Sequence, residues 1–429
     1  MNNIDYNSPE YKRSRKAYMA QCTFEYFICL LVADAFLAKL LEHLGLSDSA
    51  IGIVSSFISL VFIIQLAAIP LVKAKISTKK LVLTLDTLSQ VFFMFMYVIP
   101  FLPIAASGKK VLVVLSILLA YVFKYIIVSI YFKWANSYVE PHKRGVYSAV
   151  KEMISLVLGI VFTMVIGYVF DRYESIGNIN GGFIFIAFSM LVINICNFIC
   201  LLMIKKEDKT AKEEENTSFK EVMKNIFAGK GFRNVLIFMM LFKFSTYFTI
   251  GFLGIFKTKD LLLSTFVVQV INMVANLFRV AVSIPFGKFS DKYSFAKGFE
   301  LALFIGLGAY LCLMFTTPST WVLIIAFTVL HNISIAGTNQ NSFNIMYSYV
   351  DSKYITQAMA ISNCIGGTFG FIGSLIGGRI LSYVQANGNS IFGIPMYGQQ
   401  FMAFVSAIFM IASLAVIHFG ISKEKVKVQ

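Results

Sequence analysis

Twelve apolar runs, each long enough to cross a bilayer, set the terms for everything else in this 429-residue chain. They lie near 20–42, 49–72, 81–102, 111–135, 147–170, 182–204, 234–256, 261–286, 297–316, 320–346, 355–381 and 399–420. A helix of about 20 residues, rising about 1.5 Å per residue, matches the roughly 30 Å hydrocarbon layer. Inside that layer every backbone N–H and C=O has to be satisfied by protein, so such runs predict helices. The chain is 58% hydrophobic and only 14% charged, more apolar surface than a water-soluble interior of this length can hide. The expectation is an all-α membrane protein of twelve transmembrane helices.

The net charge of +15 does not point to nucleic acid. Lys and Arg are gathered in short segments between the apolar runs, and no basic-aromatic binding module accompanies them. With the N-terminus inside, the opposite side receives only Lys109, Lys110, Arg172, Lys257 and Lys259. That bias predicts both termini on the cytoplasmic face of a bacterial inner membrane. Residues 1–19 are polar, with Lys12, Arg13, Arg15 and Lys16, and show no cleavage site of a signal peptide. The six cysteines all fall inside apolar runs and read as small hydrophobic residues rather than a disulfide framework or metal site. The four histidines are isolated, and no Gly-rich phosphate loop occurs, so no metal, cofactor or nucleotide is expected.

The longest polar stretch, 205–233, divides the chain. Ser218 and Glu221 form a capping-box pattern, Phe219, Val222, Met223, Ile226 and Phe227 follow at helical spacing, and Gly229 offers a stop. This predicts a surface helix linking a six-helix half at 20–204 to another at 234–420, with cytoplasmic tails at 1–19 and 421–429. The halves also repeat. Ser137-Tyr138-Val139-Glu140 returns as Ser348-Tyr349-Val350-Asp351, and the same offset carries Gly159 onto Gly370 and Gly167 onto Gly378. Ile69-Pro70 with Lys73 returns as Ile284-Pro285 with Lys288. Two six-helix pseudo-repeats around a central cavity are a transporter architecture.

After the eighth run stands Gly287-Lys288-Phe289-Ser290-Asp291-Lys292, and after the fourth Pro141 with Arg144-Gly145. In these loops and in its topology the chain resembles the major facilitator superfamily. The counterpart in the first half, Lys73-Ala74-Lys75-Ile76-Ser77, lacks both the glycine and the aspartate. The resemblance implies a cytoplasmic gate: Gly287 permits a tight turn, and Asp291 and Lys292 lie beside the start of the fifth helix with Arg144 and Lys151.

Ionisable groups near the bilayer centre cost roughly 2.5–3.5 kcal/mol on insertion scales, so they mark function. Asp34, Lys124, Lys243 and His331 lie near the midpoints of the first, fourth, seventh and tenth runs. The resemblance implies that these four helices line the cavity. Tyr121 and Tyr125 flank Lys124, Tyr247 is one turn from Lys243, and Asn341 and Asn344 continue a polar stripe from His331. Asp34 and His331 are candidates for carrying a coupling proton, and Asp34 also for an ion pair with Lys124 or Lys243. Glu25 and Lys39 are on roughly the opposite face of their helix from Asp34, and Asp86 is near enough to a cytoplasmic helix end to snorkel.

Two lysines against one aspartate favour an anionic or zwitterionic organic solute, carried by a monomeric secondary transporter. Rival readings are a proton/drug efflux antiporter, a neutral-solute (sugar or nucleoside) symporter, a transporter-like sensor, and a membrane-embedded transferase. Gly159 and Gly167 occur in the fifth run without an accompanying proline, which weighs slightly against drug efflux.

Overall fold

Long apolar runs become helices here, and the informative places are where helices break. The structure is a computed structural model describing residues 6–67, 77–140, 144–205, 227, 229–350, 355–391 and 393–421. The expected linker helix and the side chains of Arg144, Asp291 and Asn344 lie outside the described residues. Helices α1 (Pro9–Leu31), α2 (Asp34–His43), α3 (Asp48–Ser55), α4 (Phe57–Val61), α5 (Thr78–Phe95), α6 (Ala106–Asn136), α7 (Arg144–Ser175) and α8 (Ile179–Met203) precede the linker. After it come α9 (Lys230–Ile250), α10 (Leu253–Ile255), α11 (Thr265–Lys292), α12 (Phe295–Met314), α13 (Leu323–Tyr349), α14 (Ile355–Ala386) and α15 (Gly398–Ala415). A two-residue β-ladder pairs Ser390–Ile391 with Ile394–Pro395. Among the described residues, eight helices are long and apolar enough to cross a membrane.

The first expected run departs from a continuous helix. It divides at Val32–Ala33, and Asp34 begins α2 with a left-handed φ of 47°, a conformation in which Asp is among the better tolerated non-glycine residues. The carbonyl of Leu31 freed by the break accepts a hydrogen bond from Tyr97 Oη at 2.6 Å. At the other end, the polar N-terminal stretch is helical from Pro9 on. It forms the opening turns of α1, with Pro9 at the first turn, where its missing N–H is harmless. Arg15 donates to the carbonyls of Tyr6 at 2.8 Å and Tyr138 at 3.0 Å.

The described chain forms two compact units that do not follow the two sequence halves. The first holds Met1–Leu46, Ile64–Lys212 and Ser264–Gln269; the second holds Ser47–Ile63, Glu213–Leu263 and Val270–Gln429. In the first unit α5 packs on α6 and α8, and α1 packs on α7 and α8. Its core includes Tyr18, Tyr131, Trp134 and Leu201. Trp134 is fully buried and donates Nε1–H to Tyr138 Oη at 2.9 Å, which satisfies the indole's single donor.

In the second unit α12 packs on α13 and α15, while α14 packs on α9, α3 and α4. Two glycines show why α14 can lie so close to its neighbours. A Cβ at Gly367 would stand 2.5 Å from the carbonyl oxygen of Ser59, and one at Gly377 would stand 2.6 Å from that of Phe248. Side chains there would hold the helices apart.

Candidate functional site

Lys124 on α6 has a carboxylate partner, and it is not the one its depth suggested. Its Nζ lies 2.9 Å from Glu25 Oε1 on α1, with both side chains mostly buried, and 3.0 Å from Cys29 Sγ. The expected pairing with Asp34 is therefore corrected. Treating residues 20–42 as one helix put Glu25 and Asp34 on opposite faces, but the break at Val32–Ala33 cancels that phase relation. Gln21 donates to Glu25 at 3.2 Å, and Tyr131 donates to Gln21 Oε1, so the carboxylate sits in a buried chain of polar groups. Tyr121 packs edge-on against Phe93 at 5.0 Å and lies 6.4 Å from Tyr125. Lys39, the other cation of the first run, pairs with Glu174.

Lys243 on α9 is a different case. It makes no hydrogen bond or ion pair with any described residue. Its Nζ stands instead 5.6 Å from the ring centroid of Phe62, 5.8 Å from that of Tyr247 and 6.0 Å from that of Phe242. Aromatic faces attract a cation electrostatically, but more weakly than a carboxylate does. Gly366 of α14 leaves space beside the lysine stem, since a Cβ there would stand 3.1 Å from Lys243 Cγ. Lys243 and Tyr247 are brought together as the sequence suggests.

At Asn341 and Ser334 the polar stripe of α13 packs against the neighbouring helix. Asn341 is fully buried and donates to the carbonyl of Gly337 at 2.7 Å. A Cβ at Gly298 of α12 would come within 2.6 Å of its Nδ2, and one at Gly306 within 2.8 Å of Ser334 Oγ. The stripe therefore lies against glycines of the neighbouring helix. His331 stacks on Phe327 at 5.4 Å, with both ring nitrogens buried and without hydrogen-bond partners among the described residues. That is a poor environment for an imidazolium.

The expected cytoplasmic gate is changed too. Gly287 makes no turn: α11 runs through Pro285 and Gly287 to Lys292. The chain turns after Lys292, where Ser294 caps α12 by accepting from Lys297 N at 3.1 Å. Lys292 Nζ lies 5.1 Å over the ring of Tyr293. Lys151 donates to Tyr18 Oη at 3.1 Å inside the first unit. At the start of α5, Lys79 donates to the carbonyls of Leu202 and Ile204 at 2.7 and 2.6 Å, at the end of α8. This placement suits the negative end of the helix dipole. Burial holds the Lys79 ammonium below the ordinary lysine range, and Arg13 adds to the effect.

Two ties that sequence reading missed join segments from different sequence halves. Within the second unit, Asp48 at the start of α3 is buried and accepts from Lys259 at 2.8 and 2.9 Å and from Gln385 of α14. Within the first unit, Asp171 of α7 accepts from the backbone N–H groups of Thr265 and Phe266 at 3.1 and 2.8 Å, capping α11 with a carboxylate. Asp48 and Asp171 stand at ends of apolar runs, where a charge is unremarkable in sequence. Asp86 was missed for a similar reason. It does not snorkel: it is only 5% exposed and accepts from Asn197 at 2.7 Å.

Solved structures share the fold that these membrane-length helices build. The bacterial homolog of the human lysosomal transporter Spinster, inward-facing and unoccupied, superposes with a TM-score of 0.70 at 14% identity over 97% of this chain and 98% of that one. The nucleoside transporter NupG gives 0.67 at 12% identity over 97% and 100%. The D-xylose-proton symporter gives 0.66 at 12% identity over 92% and 96%. At such identities the likeness establishes the fold alone. No curated protein matches the chain. The sequence model of the Major Facilitator Superfamily matches residues 19–373, and the chain belongs to that family.

Proposed function

We propose that this protein is a secondary transporter of an anionic or zwitterionic organic solute, working by alternating access in a bacterial inner membrane with both termini cytoplasmic. The observation that carries this reading is the environment of Lys243: a half-buried ammonium ringed by Phe62, Phe242 and Tyr247, with no anion among the described residues. A solute carboxylate or phosphate would supply the missing charge, and Tyr247 would flank it. Burying an uncompensated charge is unfavourable, so bound solute gains most at this position.

Glu25 and Lys124 are the coupling pair in this reading. A proton arriving on Glu25 neutralises the carboxylate that holds Lys124, and the positive charge left on Lys124 then offsets the negative charge of a solute carried with it. The Asp48 and Asp171 ties suit a cycle in which the sequence halves part at their non-cytoplasmic ends.

The test is a thermal-shift screen of metabolites on the purified protein, followed by counterflow in proteoliposomes. Organic anions or zwitterions should stabilise the protein, and Lys243→Ala should abolish that response. Stabilisation by uncharged solutes alone, or a full response in Lys243→Ala, would sink the anion assignment. Binding without counterflow would leave a sensor. Proton coupling predicts that a protonophore collapses uphill uptake; undiminished uptake removes it.

A further inference from the structure

Between α5 and α8 of the first unit lies a patch of polar side chains that the transport reading does not use. Asp86 and Gln90 are one turn apart on α5, and Asn194 and Asn197 are nearly one turn apart on α8, so each pair shares a helix face. Asn197 Nδ2 donates to Asp86 Oδ2 at 2.7 Å, and Asn194 Nδ2 donates to the Gln90 carbonyl at 3.2 Å. These two bonds hold the four positions together as a two-rung ladder across antiparallel helices. Asp86, Gln90 and Asn197 are 5%, 2% and 1% exposed.

Two features of this patch do not balance. First, Asp86 has no cation within ion-pair distance among the described residues, although a buried carboxylate needs one. The charged groups that act on it through space are Glu25 and Lys124, and those two are paired with each other. With Glu25 and Lys124 cancelling, one negative charge is left over. Second, the side-chain oxygens of Gln90, Asn194 and Asn197 are all buried without a hydrogen-bond donor, and Gln90 Nε2 is buried without an acceptor. Buried polar groups are nearly always satisfied, so three such oxygens on the two helix faces that carry Asp86 and its Asn197 partner require an explanation.

We infer that Asp86, Gln90, Asn194 and Asn197 form a binding site for a monovalent cation of the sodium class. A proton on Asp86 would remove the charge but satisfy only one orphan oxygen. A hard monovalent cation removes the charge and accepts several oxygen ligands together, as hard cations do. One carboxylate matches one positive charge, and amide oxygens complete the shell after rotation about the terminal amide torsions, which are soft. A divalent ion would leave an excess positive charge inside the membrane. The site is separate from Lys243 and does not depend on which solute is carried.

Binding to the folded state alone raises thermal stability by mass action, so the full chain in detergent can be melted in NaCl, KCl and choline chloride at matched ionic strength. The expected result is a saturable rise of a few degrees in the sodium or potassium series over choline, absent in Asp86→Asn. A titration in both salts that superimposes on choline, or a response that survives Asp86→Asn, overturns the proposal. So does a midpoint that follows pH but no cation, which would make Asp86 a proton site. Should Asp86→Asn fail to fold, equilibrium binding of radioactive sodium to the wild type decides the matter. Saturable binding near one ion per chain, reduced at least tenfold by Gln90→Leu, supports the site; no saturable sodium binding overturns it.

Discussion

Lys124 and Lys243 were indistinguishable on sequence grounds: each is a lone cation near the middle of an apolar run, with a tyrosine within a turn. The structure separates them. Lys124 in the first unit has Glu25 at 2.9 Å, whereas Lys243 in the second has, among the described residues, no carboxylate partner and the faces of three rings within about 6 Å. A paired charge holds helices together, and removing one partner leaves the other stranded. An unpaired one contributes nothing of that kind and is available to something that arrives from outside. Depth in the bilayer therefore says that a charge is significant, and the partner says what it is for.

The largest expected effect breaks the paired side. Lys124→Met alone should destabilise by about 3–5 kcal/mol, because a buried Glu25 carboxylate is left without its cation. Lys124→Met with Glu25→Gln should recover most of that loss in a double-mutant cycle read by thermal or denaturant unfolding. An additive double mutant would mean the pair is not coupled. The same kind of change on the unpaired side should behave oppositely. Lys243→Met should leave the melting temperature unchanged or higher while lowering counterflow by roughly 30-fold or more, since loss of a desolvated charge partner weakens binding by about 2–5 kcal/mol. A melting temperature that falls as far as in Lys124→Met would erase the contrast.

Two smaller effects sharpen it. Gly298→Ala should destabilise by about 1–3 kcal/mol through overpacking, because the new Cβ meets Ser290 Oγ and, at 2.6 Å, Asn341 Nδ2. Unchanged stability would return the α13 stripe to a solvated cavity. Asp48→Asn should cost about 1 kcal/mol, a modest figure because Lys259 is 47% exposed and screened by solvent. If the tie helps close the non-cytoplasmic side, an impermeant maleimide should label Ser49→Cys roughly fivefold faster in that background. Equal labelling would make Asp48 a local cap only.

The helices were legible because hydrocarbon leaves the backbone one answer, and the runs read from the sequence overlap the helices found, from α5 to α15. Family membership was legible in topology and in the loops around Arg144 and Asp291. The partners were not. Glu25 was set aside because helical phase was carried through Val32–Ala33, where nothing in the sequence marks a break and Tyr97, far along the chain, satisfies the freed carbonyl. Gly287 looked like a turn, yet α11 continues past it. Asp86 had a signal that was overlooked: Asp86 with Gln90 and Asn194 with Asn197 are polar pairs at helical spacing inside apolar helices, and such pairs seldom face lipid.

By itself the sequence determined that the chain is helical and embedded in lipid, because transfer of apolar side chains and backbone out of water depends on local composition, and its loop motifs carried the family. Only the tertiary structure decided which charge meets which. Ion pairs, orphan oxygens and stacked rings depend on distances between residues as far apart as Glu25 and Lys124 or Asp48 and Gln385. Those distances are set by where helices break and how closely glycines let them pack, and no local pattern encodes them.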